Sequence, residues 1–350
     1  MPESSPGRIG YFCSYFPREI PYALGRIPVR GLPVPGSRSA SEPYIHPNSC
    51  SLVKALLDTY LEEDGNPGLE AVIFTDSCDA IRRMCDVWRH YLDVEILDFI
   101  DIPRLSDSLG VDRFAVILEG LAAKLEDRFG CSLEPDALRE AIGAFDHQRR
   151  LMSELRRRRN EGGVRSVEYY SWIRRLLQED PAESNEALRQ RLAAVSPDQP
   201  TAGGPRILLG GSLWVRPDIS EAVEKGGGRV VFEDTCSDGR ESIEAASKDE
   251  GSREQLLRGL AARYLSKPPC PRMRDLPWRL DYLLEAVRHN RVDGVICCYY
   301  KFCDLFLGEY PALNRALQGA GCPTLLLEDE GGAELSGQQH TRIQAFLEML

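Results

Sequence analysis

The sequence predicts an α/β protein built as two units on either side of a helical stretch. Three observations carry this expectation. Short runs rich in β-branched and aromatic residues alternate with segments of helical period: Arg8–Phe12, Ala71–Thr75 and Val94–Ile100 early in the chain, then Arg206–Leu209, Arg229–Phe232, Val292–Tyr300 and Thr324–Leu327. Between the two groups, residues 111–194 keep helical spacing throughout, with Phe114, Ile117, Leu118, Leu121 and Leu125 on one stripe. Finally, Cys13, Cys78, Cys236 and Cys303 each follow one of these runs closely. In α/β folds ligands sit outside the carboxyl ends of the parallel strands, so thiols placed there point at a site rather than into the core. The expected division is an N-terminal α/β domain over 1–110, a helical segment and linker over 111–200, and a C-terminal α/β domain with a closing helix over 201–350.

Taken in order, Arg8–Phe12 reads as the first strand. A short amphipathic helix follows over 17–25, then the extended Ile27–Arg30 and an irregular loop rich in Pro, Gly and Ser over 31–41. Asn48 or Ser49 caps a helix carrying Leu52, Leu56, Leu57, Tyr60 and Leu61, which puts Cys50 in its first turn, where free N–H groups and the helix dipole favour a thiolate. Thr75–Asp79 turns a strand into a helix bearing Ile81, Met84, Val87 and Trp88, so Cys78 also stands at a helix start. Cys85 lies two turns on, roughly 10 Å along the axis, and is assigned to packing. Residues 196–205 read as a linker. Gly210-Gly211 reads as a turn resembling half of a dinucleotide fingerprint, but the full G-x-G-x-x-G is missing and the signal is weak. Helices are expected over 218–225, stopped by Gly226–Gly228, and over 253–265, 278–289 and 341–350.

The net charge of −11 gives no reason to expect nucleic acid or an anionic membrane as partner, since both call for a basic surface. The first residues lack the charged start and apolar stretch of a signal peptide and no run approaches 18 apolar residues, so no membrane span and a cytoplasmic location are expected. Eleven cysteines in such a chain do not read as a disulfide framework, which belongs to small secreted domains. Cys-x-x-Cys is absent, which argues against structural zinc. Iron–sulfur clusters are held by thiolates that the fold can gather from distant positions, so the strand-end cysteines point to iron.

Runs along most of the chain resemble one family. They are Gly10–Pro17, Pro47–Lys54, Thr75–Met84, Glu233–Cys236, Pro269–Met273, Asp293–Ile296 and Lys301–Asp304, with Gly337-Gln338 and Thr341-Arg342 in the last helix. The sequence is similar to 2-hydroxyacyl-CoA dehydratase subunits and their relatives, the benzoyl-CoA reductase cluster subunits and the double-cubane cluster proteins. The resemblance implies two doubly wound (Rossmann or flavodoxin-like) parallel-sheet domains with a 4Fe-4S cluster between them, held by Cys50, Cys78 and Cys303. It implies an ATP-dependent iron–sulfur activator protein that supplies a low-potential electron. In the dehydratases this electron makes a ketyl radical anion of an acyl-CoA thioester, which expels the 2-hydroxyl group. It also implies a homodimer or a heterodimer with a homologous subunit.

Cys13, Cys236 and Cys270 stand at family-like positions as well, and six thiols suit a double cubane, as in relatives that reduce small molecules. The alternative functions are therefore a double-cubane reductase, or an electron-transfer partner without its own substrate. Lys301, Glu233 and Asp304 are the candidate catalytic residues, with Asp234 and Glu328 beside them at strand ends. A Lys there would stabilise an anionic sulfur or oxygen, and Lys301 and Arg272 are the expected counter-cations of a cluster. His46 reads as a helix-capping neighbour rather than a proton donor, and Arg156–Arg159 as a solvated helix end rather than a phosphate dock.

Overall fold

The computed structural model describes residues 6–34, 39–62, 68–195, 203–241, 251–332 and 334–350. Strand β1 (Arg8–Tyr11), helix α1 (Glu19–Ala23), β2 (Ile27–Arg30), α2 (Ser51–Glu62), β3 (Ala71–Thr75), α3 (Asp79–Tyr91) and β4 (Glu95–Ile100) form the first unit. Four helices follow, α4 (Ser108–Phe129), α5 (Pro135–Asn160), α6 (Ser166–Gln178) and α7 (Pro181–Ala193). The second unit comprises β5 (Arg206–Gly211), α8 (Asp218–Lys225), β6 (Arg229–Asp234), α9 (Arg253–Ser266), α10 (Leu276–His289), β7 (Gly294–Tyr300), α11 (Asp304–Gly319), β8 (Thr324–Asp329) and α12 (Gly337–Glu348).

β3 and β7 are buried at every position, as runs without polar alternation must be, so both faces of each sheet carry helices. The strand orders are β2-β1-β3-β4 and β6-β5-β7-β8, with every pair parallel. The two sheets thus repeat one doubly wound order. Each has its switch point between the first and third strands of its unit, where crossovers leave in opposite directions and open a crevice.

Several boundaries differ from those expected. Gly210 and Gly211 lie inside β5 instead of a turn, because the strand runs on beside Cys297 and Cys298 of β7. A Cβ on Gly211 would meet the Cys298 carbonyl at 2.7 Å, so glycine serves close strand approach there and not a phosphate loop. The closing helix starts at Gly337, where Ser336 and Gln339 form a capping box. Residues 196–202 of the expected linker lie outside the described residues.

The arginine run is not a solvated helix end. Helical spacing turns Arg156 and Arg159 inward onto the second unit, where Arg156 donates twice to Asp238, at 3.1 and 2.6 Å, and Arg159 pairs with the buried Glu233. Only Arg157 and Arg158 remain on the outer side, paired with Glu154 and, for Arg157, Glu161. Helix α9 follows β6 in the chain yet packs on the first unit, its Leu256, Leu257 and Leu260 sharing a core with Phe114, Leu118 and Leu121 of α4. The two units are therefore interleaved through their helices.

That junction is held by a buried ionic knot. Arg149 of α5 donates to Glu19 of α1 at 2.7 Å, the Tyr264 hydroxyl of α9 donates to the same carboxylate at 2.8 Å, and Arg263 stands 3.7 Å away. Burial alone would raise the Glu19 carboxyl, but Arg149 and then Arg263 overcome it and hold its pKa at about 2. The unfolded chain binds that proton near pH 4.3. The stabilisation is thus complete above about pH 4.3 and is lost as pH falls through about 2, by about 3 kcal/mol. Glu19→Gln leaves surplus positive charge in the core and is expected to cost about 3–5 kcal/mol at pH 7 in urea unfolding. The variant should also show a flatter stability profile between pH 4 and pH 2 than the parent chain.

Candidate functional site

The carboxyl ends of the strands carry the cysteines, and hydrogen bonds between the units set how those ends meet. The Ser51 amide, at the start of α2, donates to the Lys301 carbonyl at 3.0 Å, and the Ser51 hydroxyl donates to the Asp329 carbonyl at 2.7 Å. This fastens the head of α2 to the ends of β7 and β8 and brings Cys50 against Cys303.

Cys50 immediately precedes Ser51, the first residue of α2, and Cys78 and Cys303 are the N-cap residues of α3 and α11. Three helix starts therefore converge, each presenting a thiol and free backbone amides. Cys50 and Cys303 share a hydrogen bond, which lowers the Cys50 pKa, helped by the Val53 and Leu52 amides, and raises that of Cys303. Cys78 belongs to the same group, and burial pushes its pKa to about 12 against the pull of the Ile81 amide.

A second group adjoins the first. Cys13 ends the segment after β1, Cys236 follows β6, and Cys270 opens the turn closed by the Met273 amide on the Cys270 carbonyl at 2.9 Å. Burial raises the Cys270 pKa to about 11, with Cys236 and Cys13 adding to the rise and Arg240 opposing it. Cys13 also acts on Cys78, so it joins the two triads. The six cysteines expected at the site thus lie within electrostatic reach of one another in two sets, linked through Cys13. Cys85, Cys297, Cys298 and Cys322 are buried in apolar clusters, and Cys131 is exposed.

Among the described residues no three His, Cys, Asp or Glu side chains close on a single-ion site. A cubane puts each thiolate on a different iron, so its ligands stand farther apart than those of one ion. Two buried hydroxyls at this end of the sheets, Thr75 and Ser212, have no hydrogen-bond partner among the described residues. Soft thiol donors beside donor groups lacking an acceptor fit a cluster whose inorganic sulfurs accept hydrogen bonds.

The charged surroundings differ from those expected. The Arg272 guanidinium is engaged with backbone, donating to the carbonyls of Asp76, Ile102 and Pro103. Lys301 is part exposed and pairs with Glu330 at 2.7 Å. The buried cations are instead Arg240 and Lys267. Arg240 donates to Cys236 Sγ at 3.4 Å and to the carbonyls of Gly211 and Asp234, and it pairs with the Asp234 carboxylate at 2.6 Å. Asp234 is shared with Arg279, which also holds Glu309. Lys267 donates to the Ser14 carbonyl and stands 4.2 Å from the Tyr15 ring centroid.

Glu233 does not join the thiols, because its side chain is enclosed between Arg159 and the Tyr170 hydroxyl, which donates at 2.7 Å. Asp304 is exposed on the first turn of α11, and Glu328 lines a surface cavity of about 610 Å³ that also reaches Lys301 and Arg342. His46 is exposed and accepts from the Asn48 amide at 3.1 Å, a local turn contact. A second cavity, of about 560 Å³, is lined by Asn48, Ser51, Lys54, Lys301 and Phe302, the immediate neighbours of Cys50 and Cys303. Phe302 has φ of 61°, a left-handed conformation rare for a bulky residue, and this sharp turn lets Cys303 cap α11. Sequence reasoning missed Arg240, Lys267 and Tyr15. Arg240 four residues after Cys236, and Lys267 three before Cys270, were the available signals.

Fold and site together define an α/β protein with two doubly wound sheets and thiols gathered at their strand ends. Residues 13–350 match the family model of the 2-hydroxyglutaryl-CoA dehydratase D-component, and the chain belongs to that family. It is 26% identical to one of the subunits of benzoyl-CoA reductase from Thauera aromatica, over 89% of this chain and 83% of that one. It is 23% identical to the (R)-phenyllactyl-CoA dehydratase beta subunit of Clostridium sporogenes, over 100% and 93% of the two chains. It is also 23% identical to the beta subunit of (R)-2-hydroxyglutaryl-CoA dehydratase from Acidaminococcus fermentans, over 98% and 92%. Among the described residues no helix is long and apolar enough to cross a membrane.

The Cys50–Cys303 contact makes a direct chemical expectation. Air oxidation of the iron-free chain should form a Cys50–Cys303 disulfide, seen by peptide mapping as one linked pair joining the two units, while Cys85 stays alkylatable only after unfolding. A disulfide map lacking that pair would contradict the contact.

Proposed function

We propose that this chain is an iron–sulfur enzyme subunit that holds two linked 4Fe-4S cubanes, one on Cys50, Cys78 and Cys303 and one on Cys13, Cys236 and Cys270. The observation that supports this is the convergence of six thiols in two adjoining triads, each with three ligands for one cubane. When bound, the group supplies one-electron reduction at low potential, fed by an ATP-dependent iron–sulfur activator protein. The chain's own residues start three helices at one triad and shape the cavity of about 560 Å³ beside Cys50 and Cys303 for a substrate. Lys54 and Lys301, flanking Phe302 in that cavity, would hold an anionic oxygen as it forms. Asp304 lies on the same turn and is the nearest candidate for a proton carrier. Glu233 is read as the structural partner of Arg159.

A second reading is favoured by the relatives' names, several of which are beta subunits of CoA-thioester dehydratases. On it, Cys50, Cys78 and Cys303 hold a single cubane, and the chain works on an acyl-CoA with a homologous sister subunit. Iron content separates the two. Anaerobically reconstituted chain is expected to hold about eight irons, falling by half or more in Cys236→Ala and staying at eight in Cys85→Ala. About four irons, unchanged in Cys236→Ala but lost in Cys78→Ala, would return the chain to the single-cubane dehydratase reading. Sedimentation of the loaded chain at micromolar concentration is expected to show a dimer with itself or with the sister subunit, and a clean monomer of the two together would count against the paired assembly.

A further inference from the structure

The two triads stand in unlike electrical surroundings. The groups acting most strongly on Cys50, Cys78 and Cys303 are one another, Cys13 and backbone amides of the helix starts. Such helix ends contribute partial charges, roughly half a unit each. The ammonium groups in the cavity beside that triad, on Lys54 and Lys301, lie over Phe302 at 6.0 and 5.6 Å from its ring centroid, and Lys301 also pairs with Glu330.

Around Cys13, Cys236 and Cys270 the charges are whole and buried. Arg240 donates directly to the Cys236 sulfur at 3.4 Å. Lys267 is 7% exposed, and among the described residues no carboxylate stands within ion-pair distance of it. Glu241 is the charged group that acts on it most strongly, but one of its oxygens already pairs with Arg18 at 2.7 Å. Lys267 contacts the Ser14 carbonyl, next to Cys13, and the faces of Tyr15 and Tyr264, and Cys13, Cys236 and Cys270 act on it through space. A desolvated ammonium with no carboxylate in ion-pair distance, and sharing Glu241 with Arg18, is favoured by further negative charge, and Cys13, Cys236 and Cys270 act on it in that sense.

We infer that Lys267, supported by Arg240, is the counter-ion of the inner triad, and that it makes the cubane held by Cys13, Cys236 and Cys270 the more easily reduced of the two. This rests on the two-cubane reading above and extends it to the order in which electrons settle. A fixed positive charge beside a cluster favours its more negative, reduced state. The first electron from the activator's reduced iron–sulfur centre therefore rests on the inner side, turning one ferric iron ferrous with no bond broken and no proton moved. The second electron, entering in the same way, settles at lower potential on the side held by Cys50, Cys78 and Cys303, next to the cavity. Lys267 is thus a positioning residue for charge and touches no substrate.

The test is an anaerobic titration with titanium(III) citrate followed by electron paramagnetic resonance, on loaded wild-type, Lys267→Met and Lys267→Arg chains, with iron counted in each. All three are expected to keep about eight irons. In Lys267→Met the equilibrium constant of the first one-electron step should fall at least tenfold, about 59 mV, while the second step stays in place and Lys267→Arg restores the first. An unmoved first step in Lys267→Met at full iron content, or equal movement of both steps, overturns the assignment of Lys267 and leaves the two-cubane reading standing. A wild-type chain with about four irons overturns that reading and this inference with it. Should Lys267→Met fail to hold iron, the first-electron signal decides: its g values should change in Cys270→Ser and not in Cys50→Ser, and the reverse pattern refutes the proposed order.

Discussion

Thiols gathered at the ends of two sheets resist losing their protons together, and much of this structure is arranged around that resistance. Desolvation raises the pKa of Cys78 to about 12 and of Cys270 to about 11, so left to themselves these thiols keep their protons. Two devices oppose this. At one triad three helix starts direct free amides at the sulfurs; at the other, Arg240 and Lys267 bring formal charge. On the proposed iron–sulfur reading, binding of iron displaces protons, and these fields favour the displacement.

Burying cations in this way has its own cost, which the chain meets by linking charges into chains. Arg240 shares Asp234 with Arg279, Arg279 also holds Glu309, and Arg18 holds Glu241. Such pairs contribute little net stability, because desolvation offsets most of the attraction, but each fixes a geometry strictly. Here they fix the loop after β6 and the turn after α9, which carry Cys236 and Cys270. Gly239 lets that loop fold back, since a Cβ there would lie 1.8 Å from the Glu233 carbonyl.

The repeated strand order gives each unit one crevice, and the hydrogen bonds of Ser51 to the ends of β7 and β8 turn the two crevices toward each other. Helices α5 and α9 cross between the units, which makes the thiol site a property of their junction. The buried pairs Arg149–Glu19 and Arg159–Glu233 belong to the same junction. A loss of either is expected to disturb the site through the relation of the sheets rather than through any thiol directly.

The strands were legible in the sequence because a parallel sheet covered on both faces needs runs such as Ala71–Thr75 and Gly294–Tyr300 that are apolar throughout. The positions of Cys13, Cys78, Cys236 and Cys303 were legible for the same reason, since a strand's end can be read locally. Helical period also showed that Cys85 lies inside a packed helix, where it is found. What the sequence could not settle was partnership across long separations. Nothing local tells that Arg159 reaches Glu233, that Arg272 clamps the carbonyls of Asp76, Ile102 and Pro103, or that Lys267 reaches the Ser14 carbonyl, more than two hundred residues earlier. A charge is read from one position, but its partner depends on where two units and the helices between them come to rest, and only the tertiary structure decides that.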